Sequence, residues 1–456
     1  MICLQKPESV FILFGFIFGV LVILITPPFQ VPDEHSHFFR ALEVSQGDLI
    51  PTVNGNVAGG LIPVNAIATG GELAGYLAFN PQSKQSFEKL AYFFKLPPEP
   101  LKKQFAKSTA YPPVPYLPPL IGISVGKLFH LSWLKTMYLG RVTSLFVWLL
   151  CLYLTIKVIP TSKWLVVVLA LSPMTIFQAA SLSADSLTIA LSFLFIAIFL
   201  KLALEENIKF TPLVITLLII IAILISLCKQ AYISLIFLFF LIPIKKLGLK
   251  RYGLFFSLMF LFTVSSLVFW YHLAREAYAT FPFQHFKLTT SYHEQLSFIL
   301  THPLQYLVVL FNTIKLYGVQ LIEGFIGKLG WLDTSLPRWL LFLHAAMLIF
   351  YALTDSKPGV TISLFQKIII FTVWLGSIIL IFTLLYLTIA PIGHPVVETL
   401  QGRYFIPIGI LFFLLFYNNY FQLKQETLLF ITIGYIPLLL TTMLAALINR
   451  YYVQLF

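Results

Sequence analysis

The chain concentrates chemically reactive side chains in one short segment, which follows its first apolar run. Asp33, Glu34, His35, His37 and Arg40 lie there, after the prolines at 27, 28 and 32. A carboxylate can act as a general base toward a hydroxyl, and carboxylates with a histidine can hold a divalent cation. Asp33, Glu34 and His37 are the candidate metal ligands. A solvated helix start, with Asp33 as its cap, is the competing interpretation.

A second polar cluster lies late in the chain, where Gly402, Arg403 and Tyr404 precede an apolar run. An arginine beside a glycine can approach a phosphate closely and bind it through two parallel hydrogen bonds. The pattern also fits an interface anchor, with Arg403 snorkelling and Tyr404 in the aromatic belt. Arg403 is therefore a candidate phosphate ligand and Tyr404 a supporting residue.

Three further ionisable residues lie in or beside apolar runs: Arg141, Asp185 and Lys229. Placing an ionisable side chain inside a bilayer costs free energy, so its presence there usually indicates a function. Each residue also has a structural interpretation. Arg141 could anchor a helix at the cytoplasmic interface, and Asp185 could cap a helix or pair with an arginine. Lys229 could be an ordinary loop lysine. If Lys229 lies outside, it can help to hold an anionic head group.

Trp331 and Asp333 lie in a glycine-containing segment, 327–334, that predicts a tight turn. The aromatic ring and the carboxylate can shape an acceptor site. They can equally anchor the turn.

The composition indicates that these residues belong to an integral membrane protein. Of 456 residues, 59% are hydrophobic and 11% charged, against about 25% charged in an ordinary soluble domain. Soluble enzymes, nucleic-acid binders and disordered proteins are thereby excluded. The net charge of +12 mainly reflects lysine and arginine residues in cytoplasmic loops. Cys3, Cys151 and Cys228 show no disulfide or zinc spacing.

The sequence predicts an all-α, polytopic membrane protein with about eleven to thirteen crossings, each spanning a hydrocarbon core of about 30 Å. The run 10–25 predicts a retained first helix rather than a signal peptide, because no small-residue cleavage site follows. We expect 300–326 to be an amphipathic surface helix, because Lys315 and Glu323 interrupt it. The other predicted crossings are 113–131, 137–157, 163–180, 185–204, 211–228, 230–244, 252–275, 337–353, 367–391, 402–418 and 427–447.

The distribution of lysine and arginine predicts the orientation. The basic residues at 245–251, 357–367 and 424 mark cytoplasmic connections. The N-terminus is then inside, while the loops 27–112 and 276–336 and the C-terminus are outside. If every apolar run from 113 to 244 crossed the membrane, the basic loop 245–251 would lie outside, against its positive charge. One of these runs is therefore not a full crossing. The best candidate is 113–131, whose start is too rich in proline for a simple helix. A single integral membrane domain, 1–456, is the simplest organisation.

Several short motifs, in order along nearly the whole chain, resemble the bacterial membrane-protein family called domain of unknown function 2142. They are Pro32-Asp33-Glu34-His35, Gly140-Arg141, Ser172-Pro173, Ser183-Ala184-Asp185-Ser186-Leu187, Cys228-Lys229-Gln230, Leu329-Gly330-Trp331-Leu332-Asp333 and Gln401-Gly402-Arg403-Tyr404. That family is similar to the GT-C superfamily of glycosyltransferases, which use polyprenyl-phosphate sugars and place an acid in the first outer loop. The resemblance implies that Asp33 or Glu34 matches this acid. Here the usually separated acidic pair is adjacent.

The resulting hypothesis is sugar transfer at the outer face of a bacterial inner membrane. A polyprenyl-phosphate sugar is the expected donor, and an envelope glycan or a protein hydroxyl is the acceptor. Asp33 or Glu34 acts as the base, and Arg403 and Lys229 bind the donor phosphate. The expected partners are therefore lipids and glycans rather than nucleic acid. A transporter or flippase of lipid-linked glycans is the alternative, with Arg141, Asp185 and Lys229 as its relay groups. A glycan polymerase or ligase is a second alternative.

Overall fold

The computed structural model describes residues 5–206, 208, 210–286 and 291–453, of which 281–286 are described by their backbone alone. Cys3 and residues 287–290 of the predicted outer region 276–336 lie outside the described residues. The α-helices are α1 Pro7–Ile25, α2 Glu34–Gln46, α3 Val64–Gly75, α4 Phe87–Lys95, α5 Leu117–Leu128, α6 Trp133–Val158, α7 Lys163–Ala170, α8 Pro173–Ala179, α9 Ala184–Leu204, α10 Pro212–Cys228, α11 Leu249–Leu273, α12 Arg275–Phe286, α13 Tyr292–Thr301, α14 Pro303–Ile326, α15 Arg338–Thr354, α16 Leu364–Ile389, α17 Gly409–Leu414 and α18 Gln425–Tyr451.

Short 3-10 segments and strands complete the fold. The 3-10 segments are Val114–Tyr116, Gln230–Leu241, Ile244–Lys246 and Gly402–Ile408. The strands are β1 Thr52–Asn54, β2 Val57–Pro63, β3 Lys103–Lys107, β4 Lys328–Leu329 and β5 Thr334–Ser335. Strands β1, β2 and β3 form an antiparallel sheet in that order, and β4 pairs with β5. The chain is thus mostly helical, with its small sheets confined to connections.

Local sequence signals start many of these helices. Proline occupies the first turn of α1, α8, α10 and α14, where its missing N–H would have no partner in the helix anyway. Ser363 begins α16 with a capping box, in which its hydroxyl accepts from the N–H of Gln366 and the Gln366 side chain accepts from the N–H of Ser363. The positions at which these helices begin are therefore determined by the local sequence.

Seven of the described helices, namely α1, α6, α9, α11, α14, α16 and α18, are long and apolar enough to cross a membrane. This number is below the predicted eleven to thirteen, because several predicted crossings fold into shorter or broken segments. Pro173 separates α7 from α8 within 163–180, since proline cannot donate to the preceding turn. The runs 230–244 and 402–418 contain 3-10 segments rather than a continuous α-helix.

Several of the shorter segments meet one another or a long helix at the end of the bundle opposite Asp33. There, Asp355 follows α15 and accepts hydrogen bonds from the N–H groups of Trp164 and Leu165 at the start of α7. Lys367, near the start of α16, donates to the carbonyl of Tyr417 beyond α17. We call the end of the bundle that carries Asp33 the site end.

The proline-rich stretch 113–131 does not form a crossing. It folds into the 3-10 segment Val114–Tyr116 and the 12-residue helix α5, which is about 18 Å long at 1.5 Å per residue. That length is well below the thickness of a hydrocarbon core. This half-length helix, which packs against α6, is compatible with the prediction that 113–131 is the run misread as a crossing.

Helix α14 covers the predicted amphipathic segment 300–326. Its length and composition fit a crossing, yet both of its ends contact the site end. Tyr306 bonds Thr383 near the end of α16 at 2.7 Å, and Gly324 packs against Gly402. The two ends of α14 thus contact α16 and the 3-10 segment Gly402–Ile408, and the surface position of 300–326 stays a prediction.

Candidate functional site

Asp33 lies in the turn between α1 and α2. Its backbone adopts a left-handed conformation, with φ of 63°, directly before α2 begins at Glu34. Such a φ is uncommon for residues other than glycine, although aspartate and asparagine tolerate it best. The Asp33 side chain is 53% exposed, whereas Glu34 is fully buried. The turn thus directs two adjacent carboxylates into different environments.

Glu34 is bound to Arg141 of α6 inside the bundle. Its two carboxylate oxygens accept from Nε and Nη2 of Arg141 at 2.8 and 2.5 Å, and Oε1 also accepts from the N–H of Leu182 at 3.2 Å. The remaining donors of Arg141 reach the carbonyls of Thr26 and Pro27 at 2.9 and 3.1 Å. This network ties the end of α1 to α2 and α6. It also corrects the interpretation of Arg141 as a cytoplasmic anchor, because both partners are buried at the site end.

Arg403 reaches the site because the chain approaches α14 very closely at Gly402. A Cβ on Gly402 would lie 2.0 Å from the carbonyl oxygen of Leu321 and 2.3 Å from the nitrogen of Phe325. Gly324 faces Gly402 and completes the close approach. Glycine at 402 is therefore required by packing, and it fixes where the next side chain, Arg403, enters the bundle.

Four charged side chains converge beside this approach: Asp33, Asp185, Lys229 and Arg403. Asp185, in the first turn of α9, pairs with the Nζ of Lys229 and lies 3.4 Å from Nη1 of Arg403. Nη2 of Arg403 lies 4.0 Å from Oδ2 of Asp33. We call these four residues the charge cluster. Lys229 lies between α10 and the 3-10 segment Gln230–Leu241, yet it is a largely buried ion-pair partner rather than a solvated loop lysine. Asp185 is the partner of an arginine, one of the two possibilities seen in the sequence.

Tyr404 forms a wall of the charge cluster. Its ring centroid lies 4.4 Å from Nζ of Lys229 and 5.6 Å from Cζ of Arg403, within the range of cation–π attraction. Its carbonyl accepts from the hydroxyl of Tyr232 at 2.6 Å. The ring therefore contacts both cations of the charge cluster.

Arg403 is only partly satisfied by the protein. It is 4% exposed, and its Nη1 donates to Oε1 of Gln178 at 3.3 Å. Within the described part of the chain, its Nε and the nearby Oε1 of Gln401 are buried without a hydrogen-bond partner. Buried polar groups are nearly always paired. An unpaired guanidinium donor beside the charge cluster is compatible with an anionic ligand.

His37 borders the charge cluster as a neutral imidazole. Its Nδ1 bonds the hydroxyl of Tyr116 at 2.8 Å, and that hydroxyl also bonds Thr109 at 2.8 Å. Burial lowers the pKa of His37 to about 4, although the carboxylates of Asp33 and Asp185 oppose the shift. The imidazole is therefore uncharged at neutral pH.

Lys107 and His35 lie close enough to Asp33 to interact with its charge. Burial lowers the pKa of Lys107, and the Asp33 carboxylate partly offsets this effect. Burial also lowers the pKa of His35, again opposed by Asp33. Lys107 thus brings a third cation to the neighbourhood of the charge cluster.

The other predicted supporting residues stabilise the loops. Arg40 donates to Glu43 at 2.6 Å and to the carbonyls of Asp48 and Leu49. Asp333 accepts two hydrogen bonds from Arg450, at 3.1 and 2.7 Å. Both pairs hold connections at the site end in place rather than extend the charge cluster.

Trp331 lies closer to the site, beside the turn that carries Asp33. Its indole N–H donates to the carbonyl of Phe29 at 3.1 Å. Its ring lies 6.0 Å from that of His35.

The described residues contain no group of three or more histidine, cysteine or acidic side chains that could hold a metal ion. The predicted ligands Asp33, Glu34 and His37 are not assembled into such a group. Arg141 occupies both oxygens of Glu34, and Tyr116 occupies Nδ1 of His37. These contacts leave the side chains too few free donor atoms for a shared cation.

Several residues at the site gave no signal in the sequence. Gln178, Tyr232 and Tyr116 contact the charge cluster or its neighbours from distant positions in the chain. They lie in apolar or proline-rich runs, where an isolated polar residue has many structural explanations. Arg450 lies at the end of the last apolar run, and only the fold shows that it binds Asp333.

Comparison with known proteins finds one family. Its model, described as a predicted membrane protein of the DUF2142 family, matches residues 16–412. No curated protein and no solved structure matches the chain significantly. The match includes α1 through most of α17, and with them every residue of the charge cluster. The chain therefore belongs to the DUF2142 family of predicted membrane proteins.

Proposed function

We propose that this polytopic membrane protein is a glycosyltransferase of the GT-C type, which moves a sugar from a polyprenyl-phosphate donor to a hydroxyl. The observation that carries the proposal is the pairing of Asp33 with Arg403. A half-exposed carboxylate lies 4.0 Å from a buried guanidinium with an unpaired donor. A general base and an anion ligand are thereby adjacent at one end of a helical bundle.

In the proposed step, the acceptor oxygen attacks the anomeric carbon of the donor sugar. The bond between that carbon and the phosphate oxygen breaks, and its electron pair leaves with the polyprenyl phosphate. The proton of the acceptor hydroxyl passes to the carboxylate of Asp33. Arg403, with Lys229 beside it, stabilises the charge on the leaving phosphate. A direct displacement of this kind inverts the anomeric centre.

The contacts of the two carboxylates support Asp33 rather than Glu34 as the proposed base. Both oxygens of Glu34 are bound by Arg141 in a fully buried pair, so that carboxylate has no access to a substrate hydroxyl. Asp33 is 53% exposed, and Nη2 of Arg403 lies 4.0 Å from its Oδ2, so its carboxylate is accessible to a substrate hydroxyl. In this account Glu34 and Arg141 position the turn that presents Asp33.

The charge balance is compatible with an anionic donor. Asp33 and Asp185 carry two negative charges, which Lys229 and Arg403 balance, and Lys107 adds one positive charge nearby. Lys229 and Arg403 are held against Tyr404, which pre-organises them for a phosphate. Pre-organised cations need little rearrangement as charge develops.

A transporter or flippase of lipid-linked glycans is the alternative, and the contacts of Arg141 weaken it. A relay group must exchange partners, yet Arg141 is held by Glu34 and by the carbonyls of Thr26 and Pro27. Asp185 and Lys229 belong to the same cluster as Asp33. Mutations alone therefore do not separate transfer from transport, and the assay must distinguish them.

The expected setting is the outer face of a bacterial inner membrane, with the N-terminus in the cytoplasm and the C-terminus outside. The acceptor would be an envelope glycan or a protein. A polymerase or ligase would use the same charge cluster and differ in transferring a whole oligosaccharide.

The test uses the full-length protein in lipid vesicles that contain polyprenyl-phosphate sugars labelled in the sugar. Transfer predicts that polyprenyl phosphate is released when envelope glycan fragments are added, and that the label moves to the fragments. The size of the labelled unit separates sugar transfer from polymerisation or ligation. Movement of intact labelled lipid between leaflets, without release of polyprenyl phosphate, would instead identify a flippase.

A further inference from the structure

A row of three aromatic rings leads to the turn that carries Asp33. The rings of Phe79 and Trp331 lie 5.3 Å apart, and those of Trp331 and His35 lie 6.0 Å apart. Phe79, at the far end of the row, is 71% exposed, whereas Trp331 and His35 are partly buried. We call Phe79, Trp331 and His35 the aromatic row.

The backbone holds this row in place at some cost. Phe29, Phe79 and Leu332 all adopt left-handed conformations, with φ of 62°, 56° and 63°. Bulky residues rarely do so, and such strain concentrates at functional sites. The indole N–H of Trp331 is fixed by the carbonyl of Phe29. Strained turns from three separate segments thus support one set of rings.

The surroundings of Phe79 are polar, and the nearby charges are paired, because Arg450 donates to the carbonyls of Leu77, Asn80 and Ser83 while it binds Asp333. Asn80 and Ser83 are joined by a 2.7 Å hydrogen bond in the same turn. The neighbouring cation, Lys84, is directed away to the carbonyls of Asn449 and Arg450. Aromatic faces beside amides and hydroxyls suit a ligand with one apolar face and a polar edge, which describes a sugar ring.

We propose that the aromatic row binds a neutral sugar unit of the acceptor, so that the acceptor is a glycan rather than a protein side chain. The inference rests on the proposed function, because it gives the row the task of bringing an acceptor hydroxyl to Asp33. The acceptor sugar stacks on Phe79 and Trp331. His35, two residues after Asp33, marks the end of the row nearest the base.

Binding can be tested without any transfer reaction. The full-length protein in lipid nanodiscs is mixed with neutral hexasaccharides of glucose or of N-acetylglucosamine, or with fragments released from the cell envelope. Saturation-transfer NMR then measures contact with the sugar C–H protons and the dissociation constant. We expect Phe79→Ala to raise this constant about fivefold or more, since an aromatic contact contributes of the order of a tenfold change in affinity.

Two variants act as controls. Phe79→Tyr retains an aromatic face and is expected to bind like the wild type. Phe87, which is 70% exposed and contacts Tyr452, lies outside the row, so Phe87→Ala is expected to leave binding unchanged.

Absence of binding by all these glycans, or equal binding by Phe79→Ala and Phe87→Ala, would overturn the proposal. Binding that depends on Phe79 for a serine- or threonine-containing peptide, but not for a glycan, would overturn it in favour of a protein acceptor. Because binding is measured directly, loss of the transferase proposal would be visible separately, as glycan binding without release of polyprenyl phosphate.

Discussion

Glu34 and Arg141, which are separated by 107 positions in the chain, form a bidentate ion pair in which both side chains are fully buried. Asp33, the neighbour of Glu34, lies on the other side of the same turn and faces Arg403. Two consecutive carboxylates thus have different tasks. One holds the turn to the bundle, and the other is free for chemistry.

Glu34→Gln should destabilise the protein by about 3–5 kcal/mol, because removing one partner leaves the other charge buried and uncompensated. The measurement is thermal unfolding in detergent. Asp33→Asn is the matched comparison and should shift the midpoint little, since Asp33 is half exposed. Equal losses in the two variants would contradict the assigned division of roles.

Arg403→Lys should raise the donor KM by about tenfold or more, because one ammonium cannot reproduce the guanidinium fork. Release of polyprenyl phosphate from vesicles measures the effect. Arg338→Lys, at an exposed position that begins α15, is the control and should behave like the wild type. A donor KM that Arg403→Lys leaves unchanged would remove Arg403 from the phosphate site.

Asp355 should make stability depend on pH at the opposite end of the bundle. Burial raises its pKa from 3.8 to about 6, against the effect of the N–H groups of Trp164 and Leu165. The folded state therefore holds the proton more tightly, and the contribution of Asp355 to stability is lost as the pH rises from about 4 to about 6. The loss corresponds to about 3 kcal/mol.

Comparison with Asp355→Asn isolates this contribution from those of other groups. As the pH rises from about 4 to about 6, the unfolding midpoint of the wild type should fall relative to that of Asp355→Asn. A difference that stays constant from pH 4 to pH 7 would show that Asp355 titrates normally.

The orientation predicted from the charges can be tested with cysteines at the two ends of the bundle. Asn54→Cys lies in the exposed turn that follows α2, and Lys357→Cys lies in the exposed connection after α15. In intact cells, an impermeant thiol reagent should label Asn54→Cys above the unsubstituted background, and Lys357→Cys only after permeabilisation. The reverse pattern would place Asp33 and Arg403 in the cytoplasm.

The membrane class and most helix positions were predictable because they depend on local properties, namely apolar length and the positions of proline. The number of full-length helices was not. A run such as 163–180 is apolar throughout, and only its break at Pro173 shows that it forms two short helices. Hydropathy measures composition and is insensitive to such breaks.

Asp33, Asp185, Lys229 and Arg403 could be identified as candidates, because ionisable residues are rare in apolar surroundings. Their partners could not. Asp33 and Glu34 look equivalent in the sequence, and the left-handed turn at Asp33 separates them. The close approach of Gly402 to α14, which places Arg403, likewise depends on tertiary packing.

The most direct test of the central claim compares the envelope glycans of cells that carry the wild type, Asp33→Asn or Asp48→Asn, by mass spectrometry. Asp48 is an exposed acid in the same connection and lies outside the charge cluster. Each variant must first be shown to be made and inserted. The account predicts that Asp33→Asn yields a glycan lacking one sugar and accumulates the lipid-linked sugar, while Asp48→Asn matches the wild type. Unchanged glycans in Asp33→Asn, when deletion of the whole protein alters them, would contradict it.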